Sequence, residues 1–133
     1  MTEAEAQELL LLNQRLLDSI AAKDWPTYAQ LSVPDLTAFE PEGAGQLIKG
    51  LAFHRFYFEP LTEPPVTQQS TMASPHVRLM GDVAVVAYVR LIQRRNPDGT
   101  LATLAFEETR VWQRHAGQWR HVHFHRSLPT ASR

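Results

Sequence analysis

The chain has 133 residues, 44% of them apolar and 20% charged, which is the size and composition of one globular domain. Thirteen Lys and Arg side chains against 14 Asp and Glu leave a formal charge of −1, with no basic footprint for nucleic acid or an anionic membrane surface. The absence of cysteine removes disulfides and thiolate chemistry, and the longest apolar run, Leu9 to Leu12, is far short of a membrane span. The acidic start, Met1 to Glu5, does not resemble a secretory signal, and the expected location is the cytoplasm.

Thr2 and Glu5 have capping-box spacing and open an amphipathic helix that runs to about Ala22. Its apolar stripe is Leu9, Leu12, Leu16 and Ile20, widened by Leu10 and Leu17, with Asn13, Gln14, Arg15 and Asp18 falling largely away from it. Asp24 caps a second helix with Pro26 in its first turn, and Pro34 is expected to end it. Residues 36–40 form a short strand, followed by a loop marked by Gly43 and Gly45. A helical or irregular stretch runs from Leu51 to Leu61 and is stopped by Pro60, Pro64 and Pro65.

From Val66 the period becomes strand-like. Thr67 to Met80 is one extended segment interrupted at Pro75, and Gly81-Asp82 turns into the β-branched run Val83 to Arg94. Asn96-Pro97-Asp98-Gly99 and His115-Ala116-Gly117 are turns that delimit strands Leu101 to Arg114 and Gln118 to Ser127. The last three strands make an antiparallel meander. Helices first and sheet afterwards predict an α+β fold, with the helices on one face of a curved sheet and a loose tail at 128–133.

Alternate side chains of a strand share a face. One face of the penultimate strand holds Phe106, Glu108, Arg110 and Trp112, and one face of its predecessor holds Val86, Tyr88, Arg90 and Ile92. In the last strand Arg120, Val122, Phe124 and Arg126 fall on one face, and Trp119, His121, His123 and His125 on the other. Each of the three strands thus sets an arginine among bulky apolar neighbours, and a buried guanidinium needs a carboxylate or a bound anion. Glu108 satisfies at most part of this demand. Either the arginines reach water or pair with Glu40, Glu42 and Glu108, or they line an anion-accepting cavity; parity alone leaves both open.

Histidines at 121, 123 and 125 have spacing that a metal site can use, but no acidic residue accompanies them and Trp119 shares their face. The combination fits a subunit interface, Trp119, His121, His123 and His125, better than a metal site. No glycine-rich phosphate loop, nucleophile elbow or paired helical histidines are present, so no catalytic residue, metal or cofactor is expected. His54, within Phe53-His54-Arg55-Phe56-Tyr57-Phe58-Glu59, is the one isolated candidate for acid–base work.

Several segments are distinctive words: Thr37-Ala38-Phe39-Glu40-Pro41-Glu42, the aromatic stretch around His54, Leu79-Met80-Gly81-Asp82, Glu107-Glu108-Thr109-Arg110-Val111-Trp112 and Val122-His123-Phe124-His125-Arg126-Ser127. In these the sequence resembles the association, or hub, domain of calcium/calmodulin-dependent protein kinase II. The resemblance implies the cone-shaped α+β fold of the nuclear transport factor two-like superfamily, with a long helix in a strongly bent sheet, over residues 1–133 as one domain. It also implies homo-oligomers, dimers stacked into rings, and a basic pocket for a small carboxylate. Carried over by position, the pocket residues are His54, Arg90, Arg110 and Arg126, with Glu108 as the nearby countercharge. The converging arginines lead one to expect an electrostatically strained empty pocket.

Two departures accompany the likeness. The chain starts at Met1 with the hub itself, so no kinase activity is expected of it. The loop Leu61-Thr62-Glu63-Pro64-Pro65 lacks the tryptophan of animal hubs. The alternative reading is a small enzyme of the polyketide cyclase or ketosteroid isomerase type, with His54 or Glu108 moving a proton in the same pocket. Against it, neighbouring arginines are expected to hold Glu108 ionised and weakly basic.

Overall fold

The computed structural model describes residues 2–59 and 67–129. Helix α1 spans Glu3–Ala21, and the Thr2 hydroxyl accepts the Glu5 amide at 3.1 Å, as the capping box requires. Helix α2 spans Trp25–Leu31, capped by Asp24 accepting from the Thr27 amide, with Pro26 in the first turn, where no donor is missed. Pro34 does not end this helix. The chain turns extended at Ser32, and Pro34 lies within the first strand, β1 (Ser32–Phe39).

A 3-10 turn at Pro41–Gly43 leads to a two-residue strand, β2 (Ile48–Lys49), and then to a 3-10 helix over Leu51–Phe58. Pro60 and the loop Leu61–Pro65 lie outside the described residues, as do residues 130–133 of the expected tail. Strands β3 (Thr67–Met80), β4 (Val83–Arg95), β5 (Leu101–His115) and β6 (Gln118–Ser127) follow as consecutive antiparallel hairpins. The sheet order is β2-β1-β6-β5-β4-β3, closed on one side by β1 running parallel to β6.

The β5–β6 hairpin turns on Ala116 and Gly117, with φ of 52° and 77°. Two successive positive φ values are the type I′ geometry, whose twist matches that of the flanking strands. Besides a register shift between Ser32 and Thr37 of β1 against β6, two irregularities in the antiparallel ladders bend the sheet. One is the register shift between Ala73 and His76, at Pro75, and the other is the shift between Val111 and Trp112 against β6.

Helix α1 lies in the resulting concavity, chiefly against β3. Leu9, Leu16 and Leu17 are buried there with Leu36, Val86 and Trp112. Asn13, expected to face away, is also fully buried. Its side-chain oxygen accepts the Trp112 indole N–H at 3.0 Å, so a polar residue occupies the stripe because an aromatic donor from β5 needs a partner. No helix among the described residues is long and apolar enough to cross a membrane.

Candidate functional site

Parity on β4 and β5 is as expected, because their mutual register runs unbroken from Val83 opposite Gln113 to Arg95 opposite Leu101. Tyr88, Arg90, Glu108, Arg110 and Trp112 all point inward and are buried. On β6 the alternation breaks. Val111 faces His123 and Trp112 faces His121, so Val122 is an extra residue in a bulge, and the strand changes face across it.

The expected interface face is therefore corrected. Trp119 and His121 turn into the protomer's own core, at 6% and 0% exposure, together with Phe124 beyond the bulge. His123 and His125 stay on the outer face beside Phe39 of β1, at ring separations of 6.2 and 5.5 Å. The three histidines do not converge. Arg120 and Val122 likewise do not join Phe124 and Arg126 inside; Arg120 donates to the Gln30 carbonyl at the surface.

The arginines meet at the open end of the concavity, but each has found a carboxylate. Glu108 bridges Arg90 at 3.0 Å and Arg110 at 3.2 Å and accepts the Tyr88 hydroxyl at 2.6 Å. Arg126 pairs closely with Glu42 and lies 3.8 Å from Glu40. Burial pushes the Glu108 carboxyl up, yet Arg110, Arg90 and the Tyr88 hydroxyl outweigh it and hold its pKa at about 2. Among the described residues the inner end of the site is thus closely charge-balanced. The expectation of a strained empty pocket is not met, since Glu40 and Glu42, more than 80 residues away in sequence, supply the missing countercharges.

Arg110 is the most enclosed of the three. It sits 4.3 Å over the Phe124 ring and donates through Nη1 toward His121 Nε2 at 3.3 Å. An arginine only donates, so His121 accepts at Nε2 and carries its proton on Nδ1, which faces Ser32 Oγ at 3.3 Å. Burial and the Arg110 charge lower the His121 pKa well below its ordinary value, fixing a neutral ring. His121 therefore belongs to the support of Arg110, a role the strand pattern did not show.

A cavity of about 300 Å³ opens beside these groups. It is lined by Tyr28, Arg110 and Phe124, by Glu40, Glu42, His54, Tyr57, Phe58 and Arg126, and by Arg90, Ile92, Arg94 and Phe106. Ile20, Lys23 and Gln68 complete the rim. Glu108 does not line it but stands behind Arg90 and Arg110, with its side chain fully enclosed. His54 packs on Phe124 at 5.3 Å with Nδ1 3.4 Å from Glu40. Burial, then Arg110 and Arg126, lower its pKa to about 4, so it is neutral at pH 7. Among the described residues three buried nitrogens have no hydrogen-bond partner: His54 Nε2, Arg94 Nε and Arg126 Nε, all on residues that line this cavity. Buried unpartnered polar atoms are uncommon and invite a ligand or ordered water.

Residues 5–130 match the family model described as the calcium/calmodulin dependent protein kinase II association domain. The chain is 43% identical over 127 residues to the delta subunit of calcium/calmodulin-dependent protein kinase type II from Oryctolagus cuniculus, covering 94% of this chain but only 24% of that protein. Among solved structures it superposes on the Chlamydomonas reinhardtii CaMKII hub homology domain with a TM-score of 0.88 at 49% identity, covering 95% of this chain and 99% of that one. The C. elegans CaMKII association domain gives a TM-score of 0.87 at 42% identity, covering 95% and 97%. An NTF2-like protein of Salmonella enterica, 23% identical with a TM-score of 0.77 over 95% of this chain and 92% of that one, shares the fold. With the helix-in-sheet architecture and near-complete coverage on both sides, the chain belongs to the calcium/calmodulin-dependent protein kinase II association-domain family.

Proposed function

We propose that this protein is a self-assembling hub whose protomers each hold a pocket for a small carboxylate. The observation that supports the pocket most strongly is the cavity of about 300 Å³, whose lining residues carry three buried nitrogens with no partner among the described residues. Its volume is at the small end of ligand sites, suited to a short organic acid. A carboxylate entering beside Arg126 competes with Glu42 and Glu40 for the guanidinium. Burial already raises the Glu40 pKa, so proton uptake there lets the exchange proceed without a surplus of negative charge.

Assembly is supported by the family itself and by the outer face of the sheet. Val85, Ala87, Val89 and Leu91 are half-buried on that face, and Phe39 keeps 39% of its surface. Beside them, Ala87, Val89, Thr109 and His125 border a shallow groove across β4, β5 and β6. A second copy laid over this surface covers His123, His125 and Phe39, the part of the expected interface that remains outside the core. We keep the cytoplasm as its place of action.

The enzyme alternative has less support. Glu108, clamped by two guanidinium groups with a pKa of about 2, is a poor base, and His54 at about 4 is a weak one. The pocket is tested by thermal melting with short-chain and aromatic monocarboxylates on wild type and Arg126→Gln. A ligand at ~100 times its dissociation constant stabilises the folded state by about 2.7 kcal/mol. The shift is expected in wild type and lost in Arg126→Gln; no shift with any acid contradicts the pocket.

A further inference from the structure

The cations around the cavity are not evenly matched. Five line it, Lys23, Arg90, Arg94, Arg110 and Arg126. The first-described three arginines share Glu108, Glu42 and Glu40, as above. Among the described residues neither Arg94 nor Lys23 has a carboxylate within 4.0 Å. Their contacts are marginal. Arg94 Nη2 reaches Gln68 Oε1 at 3.5 Å, Lys23 Nζ reaches the Glu59 carbonyl at 3.5 Å, and Arg94 Nε is buried without a partner.

These two cations stand apart from the inner set. Arg94 is four residues beyond Arg90 on β4, on the same inward parity, so its backbone lies roughly 13 Å further along the strand. Arg126 stacks 4.8 Å over Phe106, the register partner of Arg90, so its guanidinium lies level with Arg90 and four residues short of Arg94 along β4. Lys23 arrives from just past the end of α1, in a left-handed conformation at φ 55°. One cavity therefore holds three arginines balanced by Glu108, Glu42 and Glu40, and two further cations that no carboxylate among the described residues answers.

We propose that Arg94 and Lys23 form a second anion subsite, so that the pocket selects a short dicarboxylate over a monocarboxylate. The proposal rests on the pocket reading above and names its ligand class. One acid group competes with Glu42 and Glu40 for Arg126 next to His54. The other lies between Arg94 and Lys23, satisfying the free Arg94 Nε and cancelling the surplus charge. Charge-assisted hydrogen bonds of this kind are worth more than neutral ones, and about tenfold in affinity is expected from the second group. Because Lys23 is exposed at the rim, the preference weakens as salt rises.

The test is calorimetric titration with dicarboxylates from succinate to suberate, each against the monocarboxylate of equal chain length. Wild type is expected to bind at least one diacid about tenfold tighter than its matched monoacid. Arg94→Gln is expected to erase that preference and keep monoacid binding; Lys23→Gln, at an exposed position that does not endanger folding, is expected to reduce it. Equal affinity for diacids and monoacids, or a preference that survives in both variants, overturns the second subsite while leaving the pocket intact. Failure of both acid classes to bind overturns the pocket reading and this proposal together.

Discussion

Glu108 is the most enclosed carboxylate of the site and the shared countercharge of two buried arginines, so Glu108→Gln is the sharpest perturbation of the scaffold. Glutamine keeps the shape and much of the hydrogen bonding to Tyr88 but leaves Arg90 and Arg110, at 4% and 1% exposure, without a negative partner. Breaking a buried ion pair from one side costs about 3–5 kcal/mol, a large share of the roughly 5–15 kcal/mol that holds a domain together. The same pair predicts an acid limb. The Glu108 pKa is depressed from 4.5 to about 2, so its contribution is complete above pH 4.5 and is lost as pH falls toward 2. The shift corresponds to about 3 kcal/mol. Urea unfolding followed by tryptophan fluorescence, at matched protein concentration, measures both effects. Trp112 and Trp119 are buried and report directly. Wild type should lose about 3 kcal/mol across that window and the variant should lack this component. A Glu108→Gln protein within about 1 kcal/mol of wild type at pH 7 would refute the bridging role.

Other consequences follow from the same geometry. His54 has its pKa lowered to about 4 from 6.5, so the unfolded chain takes up its proton first as pH falls below 6.5. Stability then declines by up to about 1.4 kcal/mol per pH unit until pH 4, and His54→Asn should flatten the slope by one proton's worth in pH-dependent unfolding. Asn13→Leu strands the Trp112 indole N–H and should cost about 1–3 kcal/mol in urea unfolding, despite adding apolar surface to an apolar stripe.

The helices, the hairpins and the inward arginines of β4 and β5 were legible because their signals are local or ride on an unbroken ladder. Thr2 and Asp24 act on amides three residues away, and β4 against β5 never slips register. What the pattern hid is non-local. One extra residue at Val122 reverses the faces of β6, and nothing in a strand with charged and aromatic residues on both sides marks where the bulge falls. Asn13 looks misplaced until Trp112, 99 positions later, is set beside it. The neutralisation of Arg126 by Glu40 and Glu42 depends on bringing the end of β1 to the end of β6 through parallel pairing, which a hairpin-based reading does not anticipate. The two-residue β2 is too short to leave a period of its own.

The central claim is that this domain assembles through the outer face of its sheet. Light scattering behind a sizing column tests it on wild type and on Val89→Lys, which sets a charge on that face without touching the core side of β4. The account predicts a wild-type mass that is a multiple of 15.1 kDa and a Val89→Lys protein that is folded but smaller. A wild type that elutes as a 15.1 kDa monomer at micromolar concentration would contradict it.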